Sequence, residues 1–111
     1  MIIDDLVIKR LKELNVQTFK LLYDDYGPKM RFVCRSYLSN NYDLDDIIQE
    51  GFLRIFNNIS KFKGQGSFEG WMRHIFINVS IDFIRREKKQ QRMELSAMRL
   101  LKKVIPFGIV I

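Results

Sequence analysis

One cysteine, one histidine and two prolines are all that the 111 residues contain of those types. A lone Cys34 forbids an internal disulfide and any CxxC metal site. It recurs with Met30, Val33 and Tyr37 at helical spacing, so core packing is its expected role. His74, with no second histidine or cysteine at ligand spacing, makes a poor metal ligand, and no metal or other cofactor is expected. No apolar run approaches the roughly 20 residues that cross a bilayer. The opening MIIDD is acidic where a secretion signal would be basic, so the expected location is cytoplasmic. The order GxxxxGK followed by Ser or Thr is missing, which excludes a phosphate-cradling NTPase loop. Asp24, Asp25, Asp45 and Asp46 supply carboxylates, but no serine, cysteine or histidine stands in a motif that would pair a nucleophile with a base. The chain reads as a non-enzyme.

What is present is an ordinary globular composition, 47% apolar and 29% charged, with room for one core. The net charge of +6 is unevenly placed. Residues 1–60 hold 8 Lys/Arg against 9 Asp/Glu, and residues 61–111 hold 11 against 4. Such asymmetry points to a polyanion gripped by the second half, nucleic acid before membrane surface, and leaves the first half free for something else.

Period-two alternation is nearly missing and helical spacing dominates, so the fold class is all-α, a bundle of about four helices. Asp4 can cap a first short helix carrying Leu6, Val7, Leu11 and Leu14. A second, from Val16 or Gln17, carries Phe19, Leu22, Tyr23, Tyr26, Met30, Val33, Tyr37 and Leu38 as its buried stripe, with a kink expected at Gly27–Pro28. Asp43 can cap a third, Leu44 to about Ile59, whose core side is Leu44, Ile47, Ile48, Phe52, Ile55, Phe56 and Ile59. Ser67 can cap a fourth that reaches Lys88 or beyond and turns abruptly polar at RREKKQQR.

Two constellations stand out. On the third helix, Asp46, Gln49, Glu50 and Leu53 face away from the core. Helix-dipole stabilisation and a Glu50–Arg54 pair explain most of that face. They do not explain an outward leucine, nor the like charges Asp46 and Glu50 at i, i+4. Between the third and fourth helices, FKGQGSFEGW joins Gly64 and Gly66, which allow positive φ, to Gln65 and Ser67 as hydrogen-bonding groups. Phe62, Phe68 and Trp71 add rings, and Lys61, Lys63, Arg73 and His74 add cations. Rings amid cations hold unstacked bases; equally, the rings could be core and the glycines a tight turn. Arg85, Arg86, Lys88, Lys89 and Arg92 then form a basic run, readable as a solvated helix end or as an extension of the positive surface.

Taken together, DDIIQEGFLRIF, FKGQGSFEGWMRHIFIN and DFIRR, in this order and spacing, resemble the second conserved region of the extracytoplasmic-function (ECF) sigma factors of the sigma-70 family. The resemblance reaches back through LYDDYGPKMRFVCRSYL and covers about Val16 to Lys89. It implies docking on core RNA polymerase, against the clamp helices of the largest subunit, through Asp46, Gln49, Glu50 and Leu53. It also implies capture of a base flipped from the nontemplate strand of the −10 promoter element by the loop. Asn78 and Asp82 would lie just beneath that base, and Arg85 and Arg86 would continue the DNA surface. An anti-sigma factor is a further partner that such a protein would have.

The family normally continues into a second helical domain that reads the −35 element, and nothing of that length follows Lys89. The expected organisation is a region 2-like domain over 1–92 and a basic C-terminal tail or linker start over 93–111, in either a fragment or a one-domain variant. Two other readings remain open from the residues: a single-strand nucleic-acid-binding module without polymerase, and a protein-interaction module in which loop and tail meet protein.

Overall fold

Short polar side chains start the helices of this protein. In the computed structural model, which describes residues 1–39 and 42–105, Asp4 accepts from the Val7 N–H at 2.9 Å and opens α1, Asp5–Lys12. Asn15 accepts from Thr18 at 2.9 Å and opens α2, Val16–Arg35. Asp43 accepts from Asp45 at 2.9 Å and opens α3, Leu44–Asn58. A 3-10 turn, Ile59–Lys61, follows. Ser67 Oγ then accepts from the Gly70 N–H at 2.9 Å at the head of α4, Phe68–Val104. Each cap satisfies a donor that the first helical turn would leave unpaired, worth about 1 kcal/mol. No strand occurs among the described residues. The chain divides into two units, Met1–Ile81 and a second that begins at Asp82, and each is described by itself.

The first unit packs around Phe76 of α4. This ring is fully buried and meets Phe52 of α3 edge-on, centroids 5.1 Å apart, and Phe52 meets Tyr23 of α2 at 5.0 Å. Gly51 makes the approach possible: a Cβ there would overlap the Phe76 ring. From α2, the Cys34 thiol reaches the Phe76 carbonyl at 3.8 Å, and Ser80 Oγ donates to the same carbonyl at 3.0 Å. Cys34 is thus a core residue, and burial pushes its thiol pKa up. Leu11, Leu22, Met30, Ile47, Ile48, Ile55, Ile59, Met72 and Val79 complete the core, each contributing roughly 1.5–3 kcal/mol for its larger side chains.

α2 is a single helix through Gly27 and Pro28, so the element does not restart there, with Gly27 buried and Pro28 on the exposed side. Continuous packing of Leu22, Tyr26, Met30 and Cys34 offsets the hydrogen bond that proline removes. Tyr23 and Tyr37 lie outside the buried stripe, where Thr18 and Gly27 take places instead, because small residues let helices approach. Phe56 is 39% exposed and leans on Phe19 at 5.1 Å rather than entering the core. α4 reaches Val104, within the expectation of Lys88 or beyond, since nothing between Gly70 and Pro106 breaks a helix. The last residues of the expected tail, 106–111, lie outside the described residues.

Replacing Gly51 by alanine gains helix propensity but overpacks the Phe76 contact, and is expected to lower unfolding free energy by a net ~1–2 kcal/mol, read from urea melts. The Cys34 thiol is expected to react with Ellman's reagent only as fast as the domain opens, so its labelling rate should rise along the same urea transition.

Candidate functional site

The loop between the 3-10 turn and α4 is held at both ends by its rings. The Phe62 N–H donates to Ile59 O at 3.1 Å, and the ring is 3% exposed. Phe68, 5% exposed, meets Phe62 edge-on at 5.3 Å. Trp71 closes the triad at 5.4 Å from Phe62 and 5.5 Å from Phe68 and remains half-buried. Of the two readings of the rings left open by the sequence, core packing holds for Phe62 and Phe68. Phe62 and Phe68 are packed on their neighbours and anchor the loop, and only the indole keeps surface for a ligand.

Between these anchors, Lys63 to Ser67 are exposed. Gly64 and Gly66 adopt φ of 76° and 78°, in the left-handed region. A Cβ at either would meet nothing within 4 Å, so glycine is required there for backbone conformation and not for space.

Two clefts flank the loop. One, of about 360 Å³, lies between the loop and α1, with Gly64, Gly66 and Phe68 on one side and Ile8 and Tyr26 on the other, and with Asp5 and Glu69 among its lining residues. The other, of about 280 Å³, is formed by Arg54, Asn58 and Lys61 opposite Trp71, Ile75 and Asn78. Trp71, Ile75 and Asn78 step by four and then three residues along α4, while Arg54 and Asn58 lie one turn apart on α3 and Lys61 follows on the 3-10 turn. The Asn58 Nδ2 donates to the Arg54 carbonyl at 2.8 Å, leaving its Oδ1 as an acceptor. The Asn78 side chain, exposed, has no hydrogen bond to another described residue. An indole face, two amides and two cations around a cleft make a surface to which a base can stack and whose rim can meet phosphates.

Of the expected site residues, the structure brings Lys61, Trp71 and Asn78 into the second cleft and Phe62, Gly64, Gly66, Ser67 and Phe68 into the first. Lys63 and Gln65 stand exposed on the loop, and Arg73 and His74 are exposed on α4 and line neither cleft. Asp82, Arg85 and Arg86 belong to the second unit, where the Arg86 guanidinium lies 5.1 Å over the Phe83 ring. Sequence reading missed Arg54, Asn58, Asp5 and Tyr26. For Arg54 and Asn58 the signal was available as the 54, 58, 61 line, which places them on the same side as Lys61.

The acidic face of α3 is as expected in geometry. Asp46 and Gln49 are exposed, and Leu53 shows 53% of its surface. Glu50 is half-buried and accepts from Arg54 Nε at 3.3 Å. At the N-terminal end of α3, an exposed Arg31–Asp45 pair ties α2 to α3, and hydrogen bonding to that carboxylate raises the Arg31 pKa. Among the described residues no three His, Cys, Asp or Glu side chains converge as a metal site, and no helix is long and apolar enough to cross a membrane.

Comparison with known proteins supports the fold. The fold resembles the NMR structure of an engineered region 2 of sigmaE in complex with GTAAAA, with a TM-score of 0.71 and 20% identity over 80% of this chain and 93% of that one. The ECF RNA polymerase sigma factor SigW of Bacillus subtilis is 35% identical over 81 residues, 73% of this chain and 43% of that protein. The ECF RNA polymerase sigma-E factor of Haemophilus influenzae is 27% identical over 81 residues, 73% of this chain and 42% of its own length. The chain thus spans less than half the length of these relatives. Residues 22–90 match the family described as Sigma-70 region 2, and with these ECF relatives beside that match the chain belongs to the sigma-70 family through its region 2.

Proposed function

We propose that this chain docks on core RNA polymerase through the outer face of α3 and holds the nontemplate strand of the −10 promoter element with the loop and the Trp71 cleft, so that transcription can start. The carrying observation is that α3 turns Leu53 to solvent beside Asp46 and Gln49 while its C-terminal end lines the indole cleft. One helix then serves two partners. The polymerase surface that fits is a pair of helices, the clamp helices of the largest subunit, with cations to meet Asp46 and Glu50 and an apolar contact for Leu53. No catalytic step is part of this role. An anti-sigma factor acting on such a module would have to cover one of the two faces.

On the DNA side, extruding a base costs a few kcal/mol of stacking and pairing. Stacking on Trp71 returns roughly 1–3 kcal/mol. The remainder comes from the loop backbone between Gly64 and Gly66 and from Asn78. Lys61, Lys63, Arg73 and His74 would meet phosphates. Phe62 and Phe68 contribute by fixing the loop ends, since a loop already ordered loses less entropy on binding.

Replacing Asp46, Gln49 and Glu50 together by alanine should weaken capture by core polymerase by about tenfold or more, measured by pull-down or anisotropy. Equal capture would remove the docking face from the proposal.

Trp71 is the only tryptophan, so its fluorescence reports on one place. Adding a −10 nontemplate oligonucleotide should quench it, and Trp71→Ala should cost about 1–3 kcal/mol of strand affinity, with binding in both cases falling steeply as salt rises.

Gly64→Ala with Gly66→Ala places side chains in left-handed backbone at roughly 1–2 kcal/mol each. Strand binding should fall while polymerase capture stays as it was; loss of both would instead mean that the loop supports the whole domain.

A further inference from the structure

Within the second unit, every residue of α4 from Lys88 onward is exposed, as is Ile105 beyond it. Placed at about 100° per residue, Arg85, Lys88, Lys89, Arg92, Arg99, Lys102 and Lys103 fall within an arc of roughly 140° that holds no acidic residue. Glu87 and Glu94 lie on the opposite half, among Met93, Ala97, Leu100, Leu101 and Val104. There they accept from glutamines, Glu87 from Gln91 at 3.4 Å and Glu94 from Gln90 at 3.3 Å. None of the seven cations is ion-paired to another described residue. Arg85–Lys89, Lys88–Arg92 and Arg99–Lys103 are like charges at i, i+4, an arrangement that works against the helix unless an outside polyanion relieves it.

We propose that this face of α4 binds the phosphate backbone of duplex DNA. Arg85 to Lys103 spans about 27 Å at 1.5 Å per residue, the axial length of about eight base pairs. A straight row of cations on a rigid helix matches a rigid, evenly charged duplex. A single strand is a poorer match, because the arc carries no ring on which bases could stack. An anionic membrane is disfavoured by the apolar half, which would carry Glu87, Glu94 and Gln90 into the interface and offers no tryptophan or tyrosine as anchor. A second copy is disfavoured by charge, since residues 82–104 hold eight Lys/Arg against three Asp/Glu and two such helices repel. The choice of DNA over another polyanion rests on the reading of the loop given above.

The test uses the full chain and the triple variant Arg99→Ala, Lys102→Ala, Lys103→Ala. Alanine keeps helix propensity, and circular dichroism checks that the helix persists. Binding is measured by anisotropy across a salt series to three probes: a −10 nontemplate single strand, a blunt duplex, and a fork that joins the two. The variant should bind duplex and fork more weakly, with the slope of log affinity against log salt reduced by up to about three, while single-strand affinity changes little. A charge-keeping variant, Arg99→Lys with Lys102→Arg and Lys103→Arg, should bind as the parent does. Unchanged fork affinity and slope in the alanine variant would overturn the inference, as would capture by vesicles of anionic phospholipid in preference to duplex. Loss of single-strand binding by the parent chain would instead overturn the reading of the loop.

Discussion

The seating of the Phe76 ring on the bare backbone of Gly51 decides how α3 and α4 cross, and much of the first unit follows from it. A ring can approach a helix backbone this closely only where no Cβ intervenes. Once it does, the rotation of α3 about its axis is fixed. Ile47, Ile48 and Ile55 must turn inward with Gly51, and Asp46, Gln49 and Leu53 are left outside. The outward leucine is thereby a consequence of the core: any rotation that buried it would withdraw Ile48 or Ile55, at a cost of roughly 1.5–3 kcal/mol each.

The same crossing sets the cleft at the far end of α3. Trp71, Ile75 and Asn78 run along a side of α4 about a quarter to a third of a turn from the Phe76 stripe, so they flank the contact and are not consumed by it. The loop must then span from the 3-10 turn to the head of α4 without hydrogen-bonded structure of its own. Two buried phenylalanines at its ends and two left-handed glycines between them solve that problem. Rings at the ends of a mobile segment anchor it at low entropic cost, which is why burial of Phe62 and Phe68 supports a preformed loop even though it removes two faces from contact with a base.

Sequence pattern made the local features legible. Asp4, Asp43 and Ser67 cap as their positions suggest, because a cap depends only on the few residues that follow it. Cys34 packs where its spacing places it. What pattern left undecided was whether ring-rich loop residues face in or out, since that depends on partners far along the chain. Phe56, Tyr23 and Tyr37 show the same limit: each lies at helical spacing for a buried stripe, but Phe56 and Tyr23 stay exposed beside a ring partner and Tyr37 lies past the end of α2. The pairing of the 54, 58, 61 line with the 71, 75, 78 line was beyond reach for the same reason, because register between two helices is set by the Phe76–Gly51 contact and by nothing local. The extent of α4, to Val104, lies within the expectation of Lys88 or beyond, because the charged residues of its second half are good helix formers.

On the proposed reading one helix carries two interfaces, and this has a mechanical consequence. Leu53 on the outer face and Arg54 in the cleft are adjacent in sequence and offset by about 100° around the axis, a relation fixed by helix geometry. Partners bound to the two faces would therefore be held in fixed relative position with no linker whose conformational freedom must be lost. The proposed acidic docking face and the cleft cations adjoin along α3 and are tied by the Glu50–Arg54 pair at 3.3 Å. At physiological salt, screening acts over about 8 Å, comparable with the 8–10 Å between packed helix axes. Exposed charges on separate helices are thus largely screened from one another, whereas the Glu50–Arg54 pair couples the two faces of α3 directly.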